Sequence, residues 1–173
     1  MKCDAAEFAG MYEMIYQDLY RFALCVMRNP HDAEDVVSEA VIRGYEHLSS
    51  LRSRESFKSW MFTILSNVCK KKLRMQAKQK TVSETTIFTG EMEGGREDLL
   101  ELGLDVRRAF SILTEEEQLI VGLSVFGGYQ SKEIGKMLKL KDSTVRSKRS
   151  RALEKMSVIL CGGRENGQAS YNC

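Results

Sequence analysis

A single proline, Pro30, interrupts the 173 residues of this chain, and its glycines gather in the second half. With so few helix breakers, and with apolar residues recurring at three- and four-residue steps, the chain is confined to the all-α class. Phe8, Tyr12, Ile15, Tyr16, Leu19, Phe22 and Ala23 describe one amphipathic helix that continues to about Arg28, where Asn29-Pro30-His31 breaks it. Asp32 is then expected to cap a second helix, whose first-turn acids suit the positive end of the helix dipole. Its buried stripe is Val36, Val37, Ala40, Val41, Tyr45 and Leu48. A polar loop from Ser49 to Ser56 follows. Phe57, Trp60, Met61, Ile64, Leu65 and Val68 then mark a third helix that runs into the basic segment Lys70-Lys71-Lys72-Leu73-Arg74.

These three helices share one apolar interior and make a first domain over residues 1–75. From 76 to 98 the apolar period disappears, and Gly90, Gly94 and Gly95 stand among Thr, Ser and Glu. That composition predicts a flexible linker, able to span at most ~75 Å when fully extended. Periodicity returns with Leu99, Leu102, Val106, Ala109, Phe110 and Leu113, opening a second domain over 99–161. Within it Thr114 caps a helix that begins Glu115-Glu116-Glu117, with Glu117 at the reciprocal capping-box position. That helix runs through Leu119, Ile120, Leu123 and Phe126 to the stop signal Gly127-Gly128. Residues 162–173 are expected to form a disordered tail. The reading is two small helical domains joined by a flexible linker.

The formal net charge is only +2, so whole-chain charge does not announce a polyanionic partner, but the charges are segregated. Lys70, Lys71, Lys72, Arg74, Lys78 and Lys80 crowd one segment; Glu91, Glu93, Glu97, Asp98 and Glu101 crowd the next. Lys141, Arg146, Lys148, Arg149 and Arg151 cluster again near the end. Two basic faces on a balanced protein are implied. No apolar run approaches the ~20 residues that span a bilayer. The first residues, broken by Asp4 and Glu7, lack a signal-peptide core, so a cytoplasmic protein is expected. Cys3, Cys25, Cys69, Cys161 and Cys173 are scattered without a CxxC pair and predict free thiols, although Cys161 and Cys173 flank a Gly-rich tail in which they can pair or bind a metal. No cofactor and no metal site is expected. A phosphate-cradling glycine loop, an HExxH motif and a Ser-His-Asp or Cys-His grouping are all absent from the sequence, which argues against an enzyme.

The sharper signal lies in the second domain. A helix containing Ile134 and Leu138, with Ser131 as its expected cap, meets a short turn at Lys139-Leu140-Lys141, and another helix starts near Asp142. Val145, Ala152, Leu153 and Met156 can face inward on that last helix. Ser143, Thr144, Arg146, Ser147, Lys148, Arg149 and Arg151 are left outward or flanking. Small hydroxyls at the N-terminal end with arginines beside them suit a helix-turn-helix that enters the major groove. Lys139 occupies the turn position where glycine is usual, at a cost of order 1 kcal/mol.

Two other segments leave alternatives open. The cations after the third helix, with Phe57, Trp60 and Phe62 nearby, either form a platform for single-stranded DNA or belong to a core helix with a solvated basic end. Arg52 and Arg54 in the preceding loop, with Asn67, Lys70, Lys71 and Arg74, are the candidate contacts to such a strand. Asp32, Glu34, Asp35 and Glu39 serve either as caps and solubilising charges or as a grip on a basic protein surface.

The order of these elements resembles the extracytoplasmic-function (ECF) class of bacterial sigma factors, over roughly residues 8–160. Leu19-Tyr20-Arg21-Phe22-Ala23 and Asp32-Ala33-Glu34-Asp35-Val36-Val37-Ser38-Glu39-Ala40 resemble the polymerase-binding part of sigma region two. Phe57-Lys58-Ser59-Trp60-Met61 with Asn67 resembles its promoter-melting helix. Leu113-Thr114-Glu115-Glu116-Glu117-Gln118, Lys132-Glu133-Ile134-Gly135 and Thr144-Val145-Arg146-Ser147 resemble region four. The resemblance implies that Asp32, Glu34, Asp35 and Glu39 bind core RNA polymerase. It further implies that the first domain opens the minus-ten element, while the helix-turn-helix reads the minus-thirty-five element of promoter DNA. Many members also have an anti-sigma factor. Thr114 departs from the family pattern, standing where proline is usual. The alternative reading is a one-domain transcriptional regulator with a LuxR-like helix-turn-helix, binding duplex DNA as a dimer without polymerase.

Overall fold

Asp4 caps the first helix by accepting a hydrogen bond from the Glu7 amide at 2.8 Å. From there the computed structural model, which describes residues 4–80 and 104–162, is helical with short connections. Four helices form the first half: α1 (Ala5–Glu13), α2 (Tyr16–Met27), α3 (Pro30–Glu46) and α4 (Phe57–Lys80), with 3-10 turns at Leu48–Ser50 and Arg54–Ser56 before α4. The second half contains α5 (Leu104–Ser111), α6 (Glu115–Val125), α7 (Ser131–Leu138) and α8 (Asp142–Gly162). No strand occurs among the described residues. Leu99, Leu102 and most of the expected linker and tail lie outside them.

The helix expected to run unbroken from Phe8 to Arg28 is two helices. Met14 and Ile15 form a turn between them, with Ile15 at φ −118°, ψ −3°. The break separates the axes of α1 and α2: Phe8 packs edge-on against Phe57 and Tyr45, while Ile15 enters the core. The cap of α3 is also not Asp32 but Asn29, whose Oδ1 accepts from the Asp32 amide at 3.2 Å. Pro30 sits in the first turn, where its missing N–H costs nothing. Gln130, not Ser131, precedes α7, and its amide donates to Glu133 Oε2 at 2.8 Å. The capping box at Thr114 and Glu117 forms as expected.

Burial follows the predicted stripes with two exceptions. Tyr45, placed in the stripe of α3, is 52% exposed, and Leu153, placed inward on α8, is 43% exposed. Each lies at the edge of its stripe and presents one flank to solvent. Phe57 and Phe62 are buried, which makes them core rather than a stacking platform, and Trp60 packs against the same core.

The two halves share a continuous apolar interior. α2 packs on α3 and α4 of its own half and on α6 of the other. Gly122 of α6 lies so close to Phe22 that an added Cβ would stand 2.7 Å from the ring. Phe62 and Tyr129 meet edge-on with ring centroids 5.6 Å apart. Arg28, in left-handed geometry at the end of α2, donates to the Ser111 carbonyl at 3.2 Å.

Candidate nucleic-acid interface

Gly135 and Lys139 set the geometry of the helix-turn-helix. A Cβ on Gly135 would approach the Leu140 carbonyl oxygen to 2.7 Å, so only glycine lets α7 and the turn come this close. Lys139 ends α7 at φ 58°, the left-handed conformation expected of that position. Ile134, Leu138, Val145 and Ala152 close the apolar interior of the motif. Gln118, fully buried on α6, donates to the Phe110 and Leu113 carbonyls at 2.9 and 3.2 Å and so ties α5 to α6. Glu117, also buried, accepts from Lys155 Nζ at 2.8 and 2.9 Å and pins α8 to α6.

On α8 the candidate base readers divide into two kinds. Ser143, Arg146, Ser147 and Arg151 are exposed, whereas Thr144, Lys148 and Arg149 are half-buried. Arg146 pairs with Asp142 at 3.3 Å, both largely exposed, so its guanidinium is pre-positioned yet free to exchange partners. Ser147 donates its hydroxyl proton to the Ser143 and Thr144 carbonyls, at 3.1 and 3.2 Å, leaving its oxygen as an acceptor. Lys148 Nζ lies 2.6 Å from Glu116, an ion pair that joins α8 to the first turn of α6.

The cations of the first half occupy both ends of α4. Asn67, Lys70, Lys71 and Arg74 line one cleft. Burial pulls the Lys70 pKa below its ordinary value; Glu116 opposes this, and Arg74 and Lys139 add to it. Arg52 and Arg54 sit at the other end, about 20 Å away along the helix by its 1.5 Å rise per residue. The loop is therefore not beside the basic end of α4. It is anchored by buried Leu51, and Arg54 pairs with Glu7. Arg52 is exposed.

The four acids of α3 do not form one surface. Asp32 turns toward α4, 3.0 Å from Lys72 Nζ and accepting from Gln76 Nε2 at 2.9 Å. Lys72 also reaches Asp35 at 3.3 Å, and its pKa is raised first by the hydrogen bond to Asp32, against desolvation. Glu34 is half-buried, whereas Asp35 is exposed. Glu39 is partly exposed and pairs with Arg43 at 2.5 Å. Asp35, Glu39 and Ile42 follow one another at helical spacing, and Ile42 is 60% exposed. Sequence reasoning missed Ile42. Its only signal was an apolar residue falling outside the buried stripe.

Comparison with known proteins agrees with this arrangement. The Sigma-70 region 2 family matches residues 11–79, and the Sigma-70, region 4 family matches residues 103–156. RNA polymerase sigma factor SigV of Bacillus subtilis is 29% identical over 144 residues, covering 83% of this chain and 85% of SigV. ECF RNA polymerase sigma factor SigM of Mycobacterium tuberculosis is 24% identical over 157 residues, covering 91% of this chain and 79% of SigM. Among solved structures, the sigma factor RpoE of Bartonella quintana, crystallised with the anti-sigma factor NepR, superposes with a TM-score of 0.74. It shares 19% identity and covers 92% of this chain and all of RpoE.

Proposed function

Because the chain belongs to the sigma-70 family, as an ECF sigma factor, we propose a division of its work among the residues just described. The protein binds core RNA polymerase and directs promoter-specific initiation by recognising the minus-ten and minus-thirty-five elements. It is a transcription initiation factor rather than a catalyst. The observation that carries the assignment of roles is the presence, in this order on one chain, of an acidic-apolar helix face, a basic helix and a helix-turn-helix.

In this reading Asp35, Glu39 and Ile42 contact polymerase, with Glu34 flanking, while Asp32 orients α3 on α4 through Lys72 and Gln76. Residues 1–80, to the end of α4, carry polymerase and minus-ten binding, the residues that follow link, and 99–161 carry the helix-turn-helix; the expected start of the linker at 76 falls inside α4. The minus-ten strand runs along α4 from Arg52 and Arg54 toward Asn67, Lys70, Lys71 and Arg74, because single strands follow basic grooves. At the other element Ser143, Arg146 and Ser147 face base edges, Thr144 and Arg149 flank them, and Lys148 and Arg151 meet phosphates. An anti-sigma factor is a fitting regulator, since RpoE, which shares this fold, is held by one. A protein that works on core polymerase and promoter DNA acts in the cytoplasm; no described helix is long and apolar enough to cross a membrane.

Binding of single variants to matched and mismatched upstream elements tests the base-reading assignment. Arg146→Ala should cost about 1–3 kcal/mol and relax preference at one position, whereas Arg151→Ala should weaken all sequences alike and lower the salt slope by about one. Uniform loss in both variants would mean that α8 is rotated in the groove.

A further inference from the structure

The two halves enclose a cleft of about 480 Å³ between α4 and the turn joining α7 to α8. Lys70, Lys71, Arg74 and Lys78 line it from α4, and Lys139 lines it from the turn. Met75 and Met137 add apolar surface, and among the described residues that line the cleft none is a carboxylate. Lys70 Nζ lies 3.4 Å from the Leu138 carbonyl and so touches the opposing half directly. Lys139 set near Lys70 and Arg74 adds like-charge repulsion to this otherwise favourable contact, and Glu116 offsets it only in part. An anion between them would reverse the sign of that contribution.

We propose that this cleft is a binding site for a small polyphosphate, inorganic or carried by a nucleotide, that bridges the two halves. Arginine and lysine together supply the fork and the point charges that phosphate oxygens accept. The volume lies in the range of small-ligand sites, about 300–1,000 Å³. Met75 and Met137 offer a face on which a nucleobase can rest. While the halves are packed together the turn walls one side of the cleft and leaves room for a compact anion; the strand along α4 enters once the halves part. Because Lys139 joins the α4 cations only when the halves are packed together, such a ligand favours the closed form. This goes beyond the assignment of promoter contacts and needs neither polymerase nor DNA.

Calorimetry on the full chain tests it, with inorganic tripolyphosphate and magnesium-free ATP as probes and sulfate at matched ionic strength as reference. Tripolyphosphate should bind one to one, about tenfold or more tighter than sulfate. Lys139→Gly removes the bridging cation at a position whose left-handed φ suits glycine, so the fold is kept. It should weaken binding about fivefold, the loss of one cation at the site. Lys132→Gln, an exposed lysine outside the cleft, should change affinity less than about twofold. Tighter binding of ATP assigns the apolar face to a base, and equal binding assigns the site to phosphate alone; both support the proposal. Binding no tighter than sulfate, or equal weakening by the two variants, overturns it. A chain that drives transcription yet ignores tripolyphosphate would remove this site and leave the promoter assignment standing.

Discussion

Lys139 holds φ at 58° in the helix-turn-helix, where a Cβ is crowded and glycine is not. Lys139→Gly should therefore stabilise the free protein by about 0.5–1 kcal/mol, seen as a thermal midpoint raised by a few degrees. An unchanged or lowered midpoint would mean that the Lys139 side chain itself holds the turn. Glu117 carries a pH dependence. Burial raises its pKa, but the hydrogen bonds from Lys155 and Thr114 outweigh burial and leave it lowered from 4.5. A carboxylate depressed on folding stabilises above its unfolded pKa and loses that contribution as pH falls through the folded value. The stability gap between the wild type and Glu117→Gln should be flat above about pH 5.5 and shrink below about pH 4.5, in thermal melts across that window. At this scale the sequence was readable where partners are close. The Thr114–Glu117 box spans four residues and announces itself. Asp32 did not, because Lys72 and Gln76, which take its carboxylate, lie on another helix.

The outward face of α3 mixes charge with an exposed Ile42, a combination suited to a partner surface. Ile42→Lys should leave the free chain within about 0.5 kcal/mol of the wild type and weaken core polymerase binding about tenfold in a pull-down or polarisation titration. Undiminished affinity would move the contact elsewhere on the first half. Between the halves, Gly122 lies close against the Phe22 ring. Gly122→Ala raises helix propensity in α6 by about 1 kcal/mol, yet forces a methyl against a fully buried ring at a cost of about 1–3 kcal/mol. The variant should keep its helicity and separate the halves, visible as a larger radius of gyration in solution scattering. Helices were legible from periodicity, except that α4 continues to Lys80, into the segment expected as linker from 76. The break between α1 and α2 was not, because the apolar stripe runs from Tyr12 through Ile15 and Tyr16 to Leu19 without losing phase. Likewise Tyr45 and Leu153 keep the period while lying at its edge.

Across the whole molecule, the packed halves and the two promoter elements impose different geometries. Elements named minus ten and minus thirty-five lie about 25 base pairs apart, or roughly 85 Å at 3.4 Å per pair. Asn67 and the turn at Lys139 border one cleft here. The halves must therefore part when both elements are held, and a connection of up to ~75 Å allows it. The inter-half contact suits separation: it buries Tyr129 Oη with no hydrogen-bond partner and sets Lys139 near the α4 cations. The sequence indicated two halves and a connection between them. It held no sign of their shared interior: Phe22 read as part of its own helix stripe, Phe62 as a neighbour of the α4 cations, and Gly122 and Tyr129 carried no signal. The most direct test of the central claim is transcription from a promoter template by core polymerase with and without the purified chain. The account predicts transcripts from one start site only when the chain is present, lost when either promoter element is scrambled. Sequence-specific binding to duplex DNA by the chain alone, with no effect on core polymerase, would contradict it.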